Sequence, residues 1–238
     1  MFIPLDILKE KAEKYGILLD EKALERFDLY AKLLVEWNEK INLTAITEPE
    51  EIAIKHFLDC LTVFSKVDIK ENAKIIDVGT GAGFPGIVML IARPDLHMTL
   101  MDSLNKRLNV IRDILDKLGL EAEVVHSRAE DGGQNKQYRE KYDFSTARAV
   151  SNLRDLSEYC IPFVRKGGSF IAMKAAKADE EILQAEKAIK LLGGKIEEKH
   201  TFELEGCGER NIIIIKKLSP TPAKFPRPSA KMVKNPII

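Results

Sequence analysis

Residues 73–86 read Ala73-Lys74-Ile75-Ile76-Asp77-Val78-Gly79-Thr80-Gly81-Ala82-Gly83-Phe84-Pro85-Gly86, and the fold turns on this stretch. The run 73–78 is short, mostly apolar and stops at glycine, the pattern of a strand buried on both faces of a parallel sheet. The glycines that follow let the backbone turn sharply and approach a ligand closely.

Toward the C-terminus, strand-like and helix-like segments alternate. Strands are expected over 97–101, 121–126, 142–147 and 168–174, and helices over 105–118, 152–164 and 179–192. Repeated β-α units imply a parallel sheet covered by helices on both faces. The ending breaks the pattern. Residues 195–204 and 210–218 both read as strands, joined only by Glu205-Gly206-Cys207-Gly208-Glu209. A helical crossover needs about a dozen residues, so this pair must be an antiparallel hairpin. Residues 219–238 hold five prolines and are not expected to form regular elements.

Toward the N-terminus, Asp20 is placed to cap a helix running to about residue 40, with Leu24, Phe27, Ala31 and Leu34 on one face. Thr47-Glu48-Pro49-Glu50 has capping-box spacing, with Thr47 at the cap. It opens a helix carrying Ile52, Phe57, Leu61 and Phe64 that ends near residue 66. The expected organisation is a helical extension packed on the core (1–68), a cofactor-binding domain (69–218) and a basic, proline-rich tail (219–238).

A chain of 238 residues suits one medium α/β domain plus such an extension. With 45% hydrophobic and 31% charged residues it reads as soluble and globular, not disordered. The apolar runs 87–92 and 212–215 are too short to cross a bilayer. The N-terminus lacks the basic and apolar regions of a secretory signal, so a cytoplasmic location without membrane contact is expected. Cys60, Cys160 and Cys207 stand in no zinc or redox spacing, which points to reduced thiols and no metal. Net charge is zero, yet Lys216, Lys217, Lys224, Arg227, Lys231 and Lys234 close the chain with no Asp or Glu among them. That asymmetry fits a polyanionic partner met near the C-terminus, or equally a solvated basic tail.

Three cofactor classes use a glycine-rich turn after a first strand. A nucleoside triphosphate needs a Walker lysine, and this loop has none. NAD is the serious rival: residues 81–86 match GxGxxG, and Asp102 follows at a distance that suits a ribose hydroxyl. Two features favour S-adenosylmethionine. Pro85 lacks an N–H in the first helical turn, where a pyrophosphate wants donors, and S-adenosylmethionine carries no phosphate. The closing hairpin resembles the class I methyltransferase sheet, whose last strand runs against the others, and Asp77 before Gly79 fits the acidic residue of its signature. The expected fold is therefore α/β, a Rossmann-like class I S-adenosylmethionine methyltransferase fold. Asp102, at the end of the second strand, is read as the ribose acceptor, with capping of the next helix as its structural alternative. Glu130 falls after the third strand, where an adenine edge would lie, or is a solvated loop charge. Arg148, at the end of the fourth, lies beside the substrate mouth or in a surface ion pair.

The chain resembles the bacterial 16S rRNA guanine-N7 methyltransferase family (RsmG, or glucose-inhibited division protein B). The resemblance rests on Trp37-Asn38, Asn42-Leu43-Thr44-Ala45-Ile46, His56-Phe57-Leu58-Asp59 and Asp77–Gly86 with its Phe84-Pro85-Gly86 ending. Ser127-Arg128-Ala129-Glu130, Ala147-Arg148-Ala149-Val150 and Phe225-Pro226-Arg227 extend it over nearly the whole length. It implies cofactor contacts from Gly79, Phe84, Ala129, Glu130 and Arg148. It also implies methyl transfer from S-adenosyl-L-methionine to N7 of one guanine in 16S rRNA, free or in the small ribosomal subunit, with no DNA partner. After Arg227 the sequence departs from the family, with Pro228-Ser229-Ala230-Lys231-Met232. A small-molecule methyltransferase is the alternative, and an NAD-dependent oxidoreductase a more distant one.

Guanine N7 carries a lone pair and no proton, so no residue is expected to act as an obligatory proton acceptor, and no catalytic base is assigned. His56 and Asp59, three apart on a helix, read as a hydrogen-bonded pair that packs the helix on the sheet. Trp37 and Cys60 read as core. Removing the chain after Lys217 is expected to weaken RNA binding more than cofactor binding.

Overall fold

Ile212, Ile213, Ile214 and Ile215 send alternate side chains into two apolar clusters on opposite faces of one sheet. The computed structural model describes residues 1–237. Seven strands form the sheet: β1 (Lys74–Val78), β2 (His97–Asp102), β3 (Glu123–His126), β4 (Tyr142–Arg148), β5 (Val164–Lys174), β6 (Gly194–Leu204) and β7 (Gly208–Lys217). Their order is β3-β2-β1-β4-β5-β7-β6. β1 to β5 pair in parallel, and β7 runs antiparallel to both β5 and β6. The mostly parallel sheet and the closing hairpin are as expected. The order reverses between β1 and β4, and a crevice opens at the carboxyl ends of strands flanking such a switch point.

One cluster joins Ile75, Leu100, Ile171 and Ile214 of the sheet to Leu8, Phe27, Leu34, Phe57 and Leu61 of the N-terminal helices. The other joins Ile76, Met101, Phe170 and Ile213 to Leu153, Leu156, Ala185 and Ile189 of the helices Leu153–Cys160 and Ala178–Leu191. Asp20 caps the helix Glu21–Asn38, its side chain accepting from the Ala23 amide at 2.7 Å.

The capping box at Thr47 does not form. Glu48 is the N-cap, without a side-chain cap bond, and Pro49 takes the first helical position, where its fixed φ and missing N–H suit the start. The helical stretch 49–65 is continuous but irregular. It widens to a π-helix at Ile52–Leu58 and tightens to a 3-10 turn at Thr62–Ser65, neither of which apolar spacing reveals. The helix expected over 152–164 ends at Cys160. A 3-10 turn containing Pro162 follows, and β5 begins at Val164, four residues early.

Residues 219–237 differ most from expectation. A helix forms at Ser229–Lys234, with Pro228 just before it and Pro236 beyond it, so neither ring interrupts a turn. Phe225 and Met232 are buried. Proline-rich backbone cannot join a ladder, and its carbonyls are taken by side chains instead. Arg139 donates to the carbonyls of Thr221, Pro222 and Phe225, and Gln134 to those of Ala223 and Pro226. Two of the basic residues are internal. Lys217, 1% exposed, donates to the Ile161 carbonyl and the Thr221 hydroxyl and lies 3.2 Å from Glu140. Arg227 forms a two-pronged pair with buried Glu158, at 2.8 and 2.7 Å. The segment is a strap on the domain, so its charge is not that of a free polycation.

Candidate active site

Asp77 is fully buried one residue before the end of β1, and its carboxylate ties the glycine loop together. Oδ2 accepts from the Thr80 hydroxyl at 2.7 Å and from the Gly86 amide at 2.9 Å. Burial pushes its pKa up to about 6, against the lowering effect of those two bonds. Gly86 must lack a side chain here: a Cβ would lie 2.3 Å from Leu100 Cδ2 and 2.8 Å from Asp77 Oδ2. Gly79 has φ +73°, a conformation that favours glycine, and a Cβ there would meet Val150 at 2.9 Å. The loop is fixed to the next strand by the amides of Gly79 and Thr80, which donate to the Met101 carbonyl at 2.8 and 3.0 Å.

Asp102, 3% exposed, divides its carboxylate. Oδ2 accepts from the Gly81 amide at 2.9 Å, and Oδ1 from the Leu104 amide at 2.8 Å, on the approach to the helix Asn105–Leu118. The helix carries no side-chain cap, so Asp102 does not cap it: the Leu104 amide that it takes belongs to the N-cap residue itself. Glu130 stands in the first turn of the short helix Ala129–Gln134 and accepts from the hydroxyl of Ser229, which the strap brings over.

Gly79, Phe84, Asp102, Ala129, Glu130 and Arg148 all line one cleft of about 570 Å³ at the carboxyl ends of the central strands. Thr44 and His56 close one end, and Tyr159 and Ser229 the other. The cleft thus draws on the N-terminal helices and on the strap as well as on the sheet.

At the first end Arg148 is held in an internal network. Nη1 donates to Asp59 Oδ2 at 3.0 Å and to the Lys55 carbonyl at 3.2 Å, and Nη2 meets His56 Nδ1 at 2.9 Å. Arginine only donates, so Nδ1 accepts, and Nε2 carries the proton toward Thr44 Oγ1 at 2.8 Å. Burial, and then the charge of Arg148, lower the His56 pKa to about 3, so its ring is neutral. The ring stacks on Phe84 with centroids 4.4 Å apart, and the guanidinium lies 4.8 Å from the Phe84 centroid. His56 and Asp59 are thus not a pair bonded to each other: each holds Arg148. Nor is the Arg148 pair on the surface, since its side chains are 15% and 8% exposed. Asn38 supports the same corner, its Oδ1 accepting from the Leu43 and Thr44 amides at 2.8 and 3.0 Å.

Sequence reading missed Tyr30, Tyr159 and Ser229. Tyr30 is buried and donates to the Ala82 carbonyl at 2.7 Å, bracing the glycine loop. A tyrosine on the same helix face as Phe27 and Leu34 was the available signal, because a buried hydroxyl needs a partner. Nothing local marks Tyr159 or Ser229. Trp37 is only half-buried, its Nε1 donating to Asp113 at 2.7 Å. Cys60 is fully buried, and burial pushes its pKa up to about 12. Among the described residues no group of three or more His, Cys, Asp or Glu is arranged to hold a metal.

A sheet with one reversed strand, a glycine turn after β1 and a cleft carrying carboxylates after β2 and β3 define a class I methyltransferase fold. Solved structures agree at the level of fold. A putative methyltransferase from Bacillus halodurans superposes with TM-score 0.52 at 16% identity, covering 68% of this chain and 100% of its own. Precorrin-6y C5,15-methyltransferase from Geobacter metallireducens gives 0.51 at 15% identity, covering 74% and 92%. Sequence goes further. The family described as rRNA small subunit methyltransferase G matches residues 23–213. Ribosomal RNA small subunit methyltransferase G of Bacillus licheniformis is 52% identical over 94% of this chain and 95% of its own length. That of Clostridium perfringens is 46% identical over 98% of each. The chain belongs to the rRNA small subunit methyltransferase G family, as its motifs implied.

Proposed function

We propose that this protein transfers a methyl group from S-adenosyl-L-methionine to N7 of one guanine in 16S rRNA, with the RNA presented free or in the small ribosomal subunit. The observation that carries the reading is the cleft, with its glycine turn, its two acidic residues and its aromatic corner, in a chain of this family. The cofactor fits the residues present. A cleft of about 570 Å³ suits a ligand of nucleoside size. Asp102 could accept from ribose hydroxyls, Glu130 and the Ala129 backbone would hold the adenine, and Gly79 would let the amino-acid part lie against the loop. Phe84 and Arg148 shape the end where the methyl group would sit. A cytoplasmic location fits an rRNA substrate, and among the described residues no helix is long and apolar enough to cross a membrane.

When bound, S-adenosylmethionine would supply an electrophilic sulfonium methyl for transfer to N7, with the thioether as leaving group. N7 has no proton to lose, so the protein's contribution is to hold the two partners in line and exclude water. His56 supports this view: both its nitrogens are engaged, by Arg148 and Thr44, and it has no free base to offer. The test is incubation of small subunits from an unmethylated strain with labelled cofactor, followed by mapping of the label. Label at a single guanine N7 is expected. Label at another atom, or none in rRNA, would sink the proposal.

A further inference from the structure

Arg148 and His56 form a wall with a cavity on each side. One is the cleft just described. The other, of about 690 Å³, shares His56, Arg148 and Ala149 with it and opens between the ends of β4, β5 and β7. Its character differs. Ile46, Met173, Phe202 and Ile212 give it apolar walls, while five cationic side chains and only two carboxylates, Asp59 and Glu181, line it. Glu181 is taken by Lys174 at 2.7 Å. Asp59 alone serves two guanidinium groups, Arg148 through Oδ2 and Arg210 through Oδ1, each at 3.0 Å. One carboxylate cannot neutralise two arginines. Arg210 spends Nε and Nη1 on Asp59 and the carbonyls of Cys207 and Glu209, and its Nη2 has no protein partner among the described residues. Lys177, exposed at the rim, makes no ion pair among them either.

We propose that this second cavity receives the acceptor nucleotide, its base against the apolar walls beside Ala149 and its flanking phosphates on Arg210 Nη2 and Lys177. The inference rests on the RNA-methylating function proposed above and adds the residues that grip the RNA. Apolar walls match the faces of a base, and the unpaired Lys177 together with the uncommitted Nη2 of Arg210 matches backbone phosphates. The two cavities also meet at Ala149, so a base there would stand next to the end of the first cleft where the methyl group would sit, while Lys177 and Arg210 lie outside the lining of that cleft. Asp59 is then a positioning residue: it sets Arg148 on the wall and aims Arg210 into the cavity.

The test uses the full chain, labelled cofactor and unmethylated small subunits. Lys177→Gln removes a side chain that holds nothing else in the protein. Arg210→Gln removes the second cation, with its melting temperature recorded beside it. Each variant should raise KM for subunits by about tenfold and reduce the slope of log affinity against log salt by about one. The dissociation constant for adenosylhomocysteine should stay within about twofold of the parent's. An active parent whose Lys177→Gln variant keeps its KM and salt slope overturns the cavity assignment and leaves the function standing. A parent that methylates no rRNA overturns both.

Discussion

Asp102 holds the glycine loop with one oxygen and the Leu104 amide, just before the next helix, with the other, and it lines the cleft. Replacing it with Ala removes a carboxylate acceptor, worth about 1.5–3 kcal/mol. Adenosylhomocysteine should bind between ten- and about a hundredfold more weakly by calorimetry, and unchanged binding would remove Asp102 from the cofactor site. Gly86 answers to packing instead of ligand. An alanine there must displace Leu100 or the buried Asp77 carboxylate, so Gly86→Ala should lower unfolding free energy by about 1–3 kcal/mol in denaturant titration. His56 and Asp77 tie stability to pH with opposite signs. Folded His56 titrates near pH 3 and unfolded histidine near about 6.5. Between those values the unfolded chain binds more protons, so stability falls as pH drops. Folded Asp77 titrates near 6, above its unfolded value, so acidification through pH 6 relieves a cost of burial. His56→Gln removes the first effect and keeps the second. The stability advantage of the parent over this variant should therefore shrink by about 2 kcal/mol between pH 7 and pH 5. A gap that stays constant would mean that His56 is not held neutral.

Among the elements, the strap 219–237 is where structure departs furthest from sequence. Its prolines read as absence of structure because proline removes donors, but carbonyls remain, and Arg139 and Gln134 collect them from distant parts of the chain. No window of sequence contains both ends of those bonds. The same reason hid Ser229 and Tyr159 from the candidate site. Strands, the helix over 105–118 and the hairpin were legible, because apolar periodicity and loop length are local properties. Asp77, Asp102 and Arg148 were legible as positions at strand ends, but not as a network, since Asp59 joins Arg148 to Arg210 across the fold. The strap's anchoring can be measured at Arg227. Its partner Glu158 is 2% exposed, so Arg227→Ala leaves a buried carboxylate with the amide of residue 227 but no counter-charge and should cost about 3 kcal/mol in denaturant unfolding. Because Ser229 follows two residues later and bonds Glu130, cofactor affinity should fall in the same variant. Removing the chain after Lys217 should likewise weaken cofactor binding along with RNA binding, since the strap's packing and its contact with Glu130 go together.

At the scale of the whole molecule, the N-terminal helices share one apolar cluster with the sheet, from Ile3 and Leu8 through Phe27 and Phe57 to Ile171 and Ile214. The cleft depends on that union, because Thr44, His56 and Tyr30 come from the N-terminal extension and Gly79, Phe84 and Asp102 from the β1 and β2 region. We propose that residues 1–68 and the sheet domain unfold as one cooperative unit. The chain carries a probe for this in its single tryptophan. Trp37 lies in the helix Glu21–Asn38 and bonds Asp113 of the helix Asn105–Leu118, so its fluorescence reports the junction. Far-UV circular dichroism reports the helices and sheet together. In urea the two signals should trace one transition with a common midpoint. Adenosylhomocysteine at a hundred times its dissociation constant should move both by the same amount, about 2.7 kcal/mol, because the cleft is lined by the N-terminal extension and the sheet domain together. A fluorescence midpoint at lower urea than the dichroism midpoint would show the helices leaving first. The cleft would then be assembled late, by docking of an extension and not by folding of the whole.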